Sequence, residues 1–171
     1  MVVGIVGSRD YPDLFWVRSV VEALARKHPD AVVVSGGAQG VDLTAEDAVR
    51  ACGLAVVSYR PYRYDSVDGH DEWSIETVTY GDAAQALVVA KHRRISPPYF
   101  RTFAQAAFHR NGWIVEDAAR LLAFWDGVST GTADTLRKAR VAGVPDYVYL
   151  PPRLGDVVAY SDPGTAGGTR A

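Results

Sequence analysis

Ala31-Val32-Val33-Val34-Ser35-Gly36-Gly37-Ala38-Gln39-Gly40-Val41-Asp42 is the stretch that decides how this chain folds. A run of consecutive β-branched residues is the pattern of a strand buried on both faces of a parallel sheet, because a strand with one wet face would alternate polar and apolar. Gly36, Gly37 and Gly40 interrupt the run. Val41, Ala45, Ala48 and Cys52 then recur at helical spacing, with Gly53 placed to cap the helix. Strand, glycine turn and helix in so short a space is the opening of a βαβ crossover.

Reading outward, residues 2–6 form a similar buried run ended by Gly7. Leu14, Val17, Val21 and Leu24 predict a helix over residues 13–27, with Pro12 in its first turn and Tyr11 or Asp10 near the cap. Residues 54–59 predict a third strand. The interleaved tyrosines, arginines and acids of 61–72 have no sustained apolar period and predict an irregular loop. Ala83, Ala86, Leu87 and Ala90 give a helical stripe that Lys91-His92-Arg93-Arg94 and Pro97-Pro98 end. Phe100, Phe103, Ala104, Ala107, Phe108, Ile114, Val115 and Ala118 predict one long helix, or two joined at Asn111-Gly112. A fourth strand follows at 121–125, a helix at 132–142 closed by Gly143 and Pro145, and a fifth strand at 147–150. The order predicts an α/β fold: a Rossmann-like three-layer αβα sandwich around a mostly parallel sheet of five or more strands. Residues 1–154 are expected to form a single domain, with about 80–98 a helical insertion. The Gly/Thr/Ala-rich residues 155–171 carry too little apolar surface to fold alone and are expected to be a flexible tail.

A chain of 171 residues buries one good core. Its net charge of −2 lacks the basic footprint of a protein that neutralises many phosphates, so nucleic acid is expected to be an unlikely partner. Cys52 is the single cysteine, which excludes an internal disulfide and fits a reducing, cytoplasmic setting. No apolar run is long enough for a membrane span. His70-Asp71-Glu72 has no second His or Cys at ligand spacing, so neither a metal nor a cofactor is expected. Phe100, Phe103 and Phe108 exceed what a small sheet needs to cover and point to a homo-oligomer.

Three strand ends finish in small polar residues: Gly7-Ser8-Arg9, Ser35-Gly36-Gly37-Ala38-x-Gly40, and Asp126-Gly127-x-Ser129-Thr130-Gly131-Thr132. In an open parallel sheet the ligand crevice lies outside the carboxyl ends of the strands, where such loops meet. Glycines let main-chain N–H groups approach an anion, and the helix that follows adds its own unsatisfied amides. Ser8, Ser129, Thr130 and Thr132 supply hydroxyl donors, and Arg9 a planar fork suited to phosphate. Asp42 either caps the second helix or holds a ribose hydroxyl, and Glu46 lies one turn on. The loops match neither Gly-x-Gly-x-x-Gly nor a Walker motif. Spacing alone does not place Arg110-Asn111.

Taken in order, Gly7-Ser8-Arg9, then Val34-Ser35-Gly36-Gly37-Ala38-x-Gly40-Val41-Asp42-x-x-Ala45-Glu46, then Arg110-Asn111, then Ala123-Phe124-Trp125-Asp126-Gly127-x-Ser129-x-Gly131-Thr132 resemble the SLOG superfamily. That group links DNA-processing Smf/DprA proteins with LOG lysine-decarboxylase-like phosphoribohydrolases, and the similarity is greatest to its YspA/YpsA-like branch. The resemblance spans about residues 2–150 and implies a nucleotide or nucleotide-derived phosphate ligand, with Arg110 and Asn111 returning toward the phosphate site. Thr135 stands where the hydrolytic LOG pattern has its catalytic Glu. The reading expected is therefore a binding protein, a sensor or carrier. The alternative is a nucleoside-monophosphate N-glycosidic hydrolase using Glu46, Asp126 or Asp134 as acid/base.

Overall fold

The computed structural model describes residues 1–65, 71–82, 86 and 99–151. Within them the elements run β1 (Val2–Gly7), α1 (Leu14–Lys27), β2 (Val32–Ser35), α2 (Val41–Ala51), β3 (Ala55–Asp65), β4 (Asp71–Tyr80), α3 (Phe103–Asp117), β5 (Arg120–Phe124), α4 (Thr130–Val141) and β6 (Asp146–Tyr149). The described strands form a six-stranded sheet in the order β4-β3-β2-β1-β5-β6, parallel except for β4. The expected α/β, mostly parallel architecture is therefore what the chain adopts.

Period-two alternation divides the core between two layers. Val3, Ile5, Val33, Val56 and Phe124 point into the layer of α1 and α2, with Val17, Val21, Ala45 and Val49. Val32, Val34, Val57, Tyr59, Leu121 and Ala123 point the other way, onto Trp113, Ile114 and Leu136 of α3 and α4. α1 packs against α2, and α3 against α4. The connection leaving β1 thus goes to one face and that leaving β5 to the other, although the two strands are neighbours. That reversal opens a crevice at their carboxyl ends.

Three local expectations are corrected and one open alternative is resolved. Residues 61–65 and 71–72, expected within an irregular loop, belong to β3 and β4, which pair antiparallel from Val56↔Tyr80 to Asp65↔Asp71. The tyrosines and arginines have no hydrophobic period because much of this ribbon lies beyond the sheet and is wet on part of its surface. Pro12 precedes α1 rather than sitting in its first turn, since the Asp13 carboxylate accepts the Trp16 N–H at 2.8 Å and caps the helix. Of one long helix or two joined at Asn111-Gly112, the chain forms the first, since α3 runs unbroken through Gly112. α4 begins two residues earlier than expected, because the Ser129 hydroxyl caps it. Of the expected insertion only residues 80–82 and 86 are described, with Tyr80 closing β4, and the expected C-terminal tail lies wholly outside the described residues. No described helix is long and apolar enough to cross a membrane.

Candidate functional site

The three glycine turns meet. Ser8 N–H donates to the Phe124 carbonyl at 2.9 Å, and Ser8 Oγ accepts the Asp126 N–H at 3.0 Å, tying the β1 turn to the β5 turn. On the other side a Cβ at Gly40 would lie 2.2 Å from the Arg9 carbonyl oxygen, and the Gly40 φ of +86° is itself glycine territory. The β1 and β2 turns therefore touch, and only glycine fits between them. Arg9 is exposed at this junction and makes no hydrogen bond or ion pair with any described residue.

Two ion pairs form the floor. Asp42, 3% exposed at the start of α2, accepts N–H groups from Gly7 at 3.0 Å and Ala38 at 3.3 Å. Its Oδ2 stands 3.7 Å from Nη1 of Arg110, which reaches across from α3 and is 7% exposed. The guanidinium fills the space above Gly36, where a Cβ would fall 1.3 Å from Nη1. Burial weakens the hold of Arg110 on its proton, and the nearby Asp42 and Glu46 carboxylates work against that. Its Nη1 and the Ser35 Oγ are buried without a hydrogen-bond partner. In the second pair Glu46, 2% exposed, accepts from Ser58 Oγ at 2.7 Å and Arg60 Nη2 at 2.6 Å.

The far wall comes from α4. Asn111 donates to the Gly131 carbonyl at 3.3 Å and to Asp134 Oδ2 at 3.0 Å, so the Arg110-Asn111 pair spans the β2 and β5 turns. Asp126 Oδ1 accepts the Val128 and Ser129 amides, and Ser129 Oγ accepts the Thr132 N–H. Thr130 and Gly131, exposed in the first turn of α4, have amides that helix geometry leaves without an internal acceptor. Thr132 is buried with its hydroxyl on Ser129. Gly127 is exposed with φ +88°. Thr135 Oγ1 bonds back to the Gly131 carbonyl.

This geometry redistributes the expected roles. The Gly7 and Ala38 amides, expected to face an anion, already hold the Asp42 carboxylate, so Asp42 caps α2 and occupies the cradle from within. Gly36 and Gly37 serve close packing, against Arg110 and Arg60 respectively. Of the carboxylates weighed as acid/base groups, Glu46 is committed to Ser58 and Arg60. Asp126 is committed to its turn. Asp134 is bound by Lys138, Arg137 and Asn111. Burial works to raise both Asp126 and Asp134, but these hydrogen bonds hold them below the usual carboxylate range. Arg60 was missed because its strand was read only to residue 59, and Ser58 because a serine inside a strand does not by itself show which distant carboxylate it meets. Their one legible signal was a charge two residues after a serine at the strand's polar end.

Asp42 titrates in the opposite sense. Burial pushes its carboxyl up from 3.8 to about 6, against Arg110 and the two amides, while Glu46 adds to the rise. A folded-state value above the unfolded one contributes stability that is complete below the unfolded pKa and is lost as pH rises through the folded one. Between about pH 4 and about pH 7 the wild type should lose on the order of 3 kcal/mol relative to Asp42→Asn. The opposite contributions of Asp126 and Asp134 cancel in that difference. Urea melts of both proteins across this range test it, and a gap that does not change with pH would show that Asp42 titrates as in an unfolded chain.

A separate groove of about 780 Å³ lies over α3, lined by Tyr99, Phe100, Phe108, His109, Trp113 and Lys138. It holds much of the aromatic surplus seen in the sequence, and it stands beside α3 rather than at the strand ends. Among the described residues no group of His, Cys, Asp and Glu is arranged to hold a metal ion. His70 and Lys91 to Arg94 lie outside the described residues.

Fold and site together define a Rossmann-like α/β protein with a polar crevice at the sheet's reversal point. The family whose model matches is the YspA, cpYpsA-related SLOG family (YAcAr), over residues 1–64, so the SLOG resemblance read from the motifs stands. Two solved structures share the fold. The chain is 21% identical to DNA processing protein A from Helicobacter pylori, with a TM-score of 0.57, covering 91% of this chain and 67% of that one. It is also 21% identical to DNA processing protein A (DprA) from Streptococcus pneumoniae, with a TM-score of 0.58, covering 90% of this chain and 51% of that one. The chain thus spans about two thirds of the first and half of the second. No curated protein matches it.

One expectation is overturned by these neighbours. The Helicobacter pylori structure is described as revealing a unique single-stranded DNA binding mode, so this fold accommodates nucleic acid and the exclusion drawn from net charge does not hold. The physical reason is that net charge averages over the whole surface. A single strand is held by a local groove and by stacking, which an overall charge of −2 does not report.

Proposed function

We propose that the crevice binds a nucleotide unit, either free or as part of a single-stranded nucleic acid, and carries out no chemistry on it. The observation that carries this reading is the contact of three glycine turns, with Arg9 exposed and unpaired among the described residues where the β1 and β2 turns touch, and Thr130 and Gly131 exposed in the first turn of α4. The phosphate is assigned to this outer mouth, where α4 presents its positive end. Ser35, Arg110 and Asp42 form the polar floor beneath. Two lines of support come from likeness: a nucleotide-related role at the family level, and a single-strand-binding neighbour of the same fold. The hydrolase alternative draws no support from Glu46, Asp126 or Asp134, each already engaged by protein donors. It predicts released base, which chromatography would detect.

Calorimetry against nucleoside mono-, di- and cyclic phosphates and a short oligothymidylate tests the proposal. Arg9→Ala should weaken every phosphorylated ligand about ten-fold while leaving the melting temperature unchanged, because the side chain is exposed and unpaired. Failure of all phosphorylated ligands to bind the wild type would end this reading.

A further inference from the structure

β3 and β4 reach well past the sheet. β3 pairs with β2 only as far as Ser35↔Ser58, whereas its pairing with β4 continues to Asp65↔Asp71. Residues 59–65 therefore project about 20 Å beyond the carboxyl edge, on the side where the crevice opens. A free two-stranded ribbon is marginal in water, and this one is anchored. On its α3 face, Tyr59 bonds to Asp117 and meets Trp113 edge-on at 5.4 Å. Trp73 meets Phe103 at 5.1 Å and exchanges both backbone hydrogen bonds with Phe100.

The opposite face has a different composition. Side chains alternate along a strand, so Ser58, Arg60, Tyr62 and Tyr64 share one side. Ser58 and Arg60 are spent on Glu46, and Arg60 packs on Gly37, where a Cβ would fall 2.6 Å from its Nε. The row thus starts at the second glycine turn and leads away from it. Tyr62 is half-buried, Tyr64 is 36% exposed, and Tyr99 joins them with its ring 5.2 Å from that of Tyr64 while itself 56% exposed. The Tyr99 hydroxyl is pushed up by Tyr64 first, with burial, Tyr62 and Glu72 adding, which places all four groups together.

We propose that this tyrosine row, Tyr62, Tyr64 and Tyr99, is a base-stacking platform for single-stranded nucleic acid running out of the crevice. The inference rests on the nucleotide reading of the crevice and extends it from one unit to a strand. Two phenol rings on alternate residues stand about 7 Å apart along β3, each offering a flat face that any base can cover. The row carries Glu72 and Glu76 as cross-strand neighbours of Tyr64 and Arg60. Its one arginine is neutralised by Glu46. Such a surface repels a phosphate chain and attracts bases, so the division of labour is phosphate at Arg9 and bases on the ribbon. Tyrosine suits this because its ring stays ordered at small entropic cost while its hydroxyl remains wet.

The test compares two probes on the full chain: thymidine monophosphate by calorimetry, and a labelled oligothymidylate of about twenty nucleotides by fluorescence anisotropy. Replacing Tyr62, Tyr64 and Tyr99 together by alanine should weaken the oligonucleotide about a hundred-fold. The monophosphate affinity and the salt dependence should stay unchanged. The corresponding triple phenylalanine variant should keep wild-type affinity, because the ring stacks and the hydroxyl does not. Wild-type oligonucleotide binding by the alanine variant would overturn the platform, as would equal losses in the alanine and phenylalanine variants. A wild type that binds the monophosphate but not the strand sinks the platform and leaves the crevice reading standing. Strand binding that depends on the tyrosines, beside monophosphate binding indifferent to Arg9→Ala, supports the platform and sinks the crevice reading.

Discussion

Gly36→Ala is expected to weaken nucleotide binding about thirty-fold, although the substitution adds a single methyl group. A Cβ at this position would lie 1.3 Å from Arg110 Nη1 and 2.8 Å from Asp42 Oδ2, so the guanidinium and the methyl cannot both be present. The arginine is the flexible partner, and it will leave. Once it leaves, Asp42 loses the cation beside it, and the carboxylate gripping the Gly7 and Ala38 amides is left buried with the unfavourable field of Glu46. The thirty-fold loss corresponds to about 2 kcal/mol, the scale of a charge-assisted hydrogen bond withdrawn from a ligand. Calorimetry with the best mononucleotide reads the affinity, and a double-mutant cycle with Arg110→Ala identifies the cause. If the methyl acts by expelling Arg110, adding it to the Arg110→Ala protein will cost almost nothing further. Additive losses would mean that Gly36 is needed for some other reason.

Arg60→Ala is expected to destabilise the fold by about 3 kcal/mol, the largest single effect on stability. Glu46 is 2% exposed and its two oxygens are divided between Ser58 and Arg60, so removing the arginine leaves a buried carboxylate without its ion-pair hydrogen bond and with the Ser58 hydroxyl as its remaining donor. Arg60 also packs on Gly37 and lies over the Tyr80 ring at 5.7 Å. Breaking a buried pair from one side costs more than removing both charges. Glu46→Gln in the Arg60→Ala background should therefore recover most of the loss, as urea melts of the four proteins of the cycle will report. A double variant no more stable than Arg60→Ala would place the cost in lost packing instead.

These clusters explain why the hydrolase alternative could be entertained from the sequence and why its three carboxylates give it no support in three dimensions. A carboxylate one turn into a helix reads the same whether it faces substrate or a structural arginine. Asp126 and Asp134 are likewise ordinary acids near a glycine turn until their donors are seen. The nucleic-acid question turned on the same blindness. Net charge is a property of the list of residues, while a strand-binding surface is a property of their arrangement.

What the sequence determined by itself was the crossover core: β1, α1, β2, α2, the first part of β3, β5 and α4, with the glycine turns at the strand ends. Those features are local. A doubly buried strand must be continuously apolar, an amphipathic helix must repeat at its own period, and a turn of positive φ asks for glycine, so each writes its signature over a few neighbouring residues. Tertiary structure alone decided that Asp42 fills the amide cradle, that Arg110 lies on Gly36 and Asn111 on Gly131, that Glu46 answers to Arg60, and that β3 and β4 stand out as a ribbon. Each of these joins residues far apart in the chain. The energy involved is the pairing of buried charges or the packing of one strand on another, and such terms depend on distance in space, which no window of sequence records.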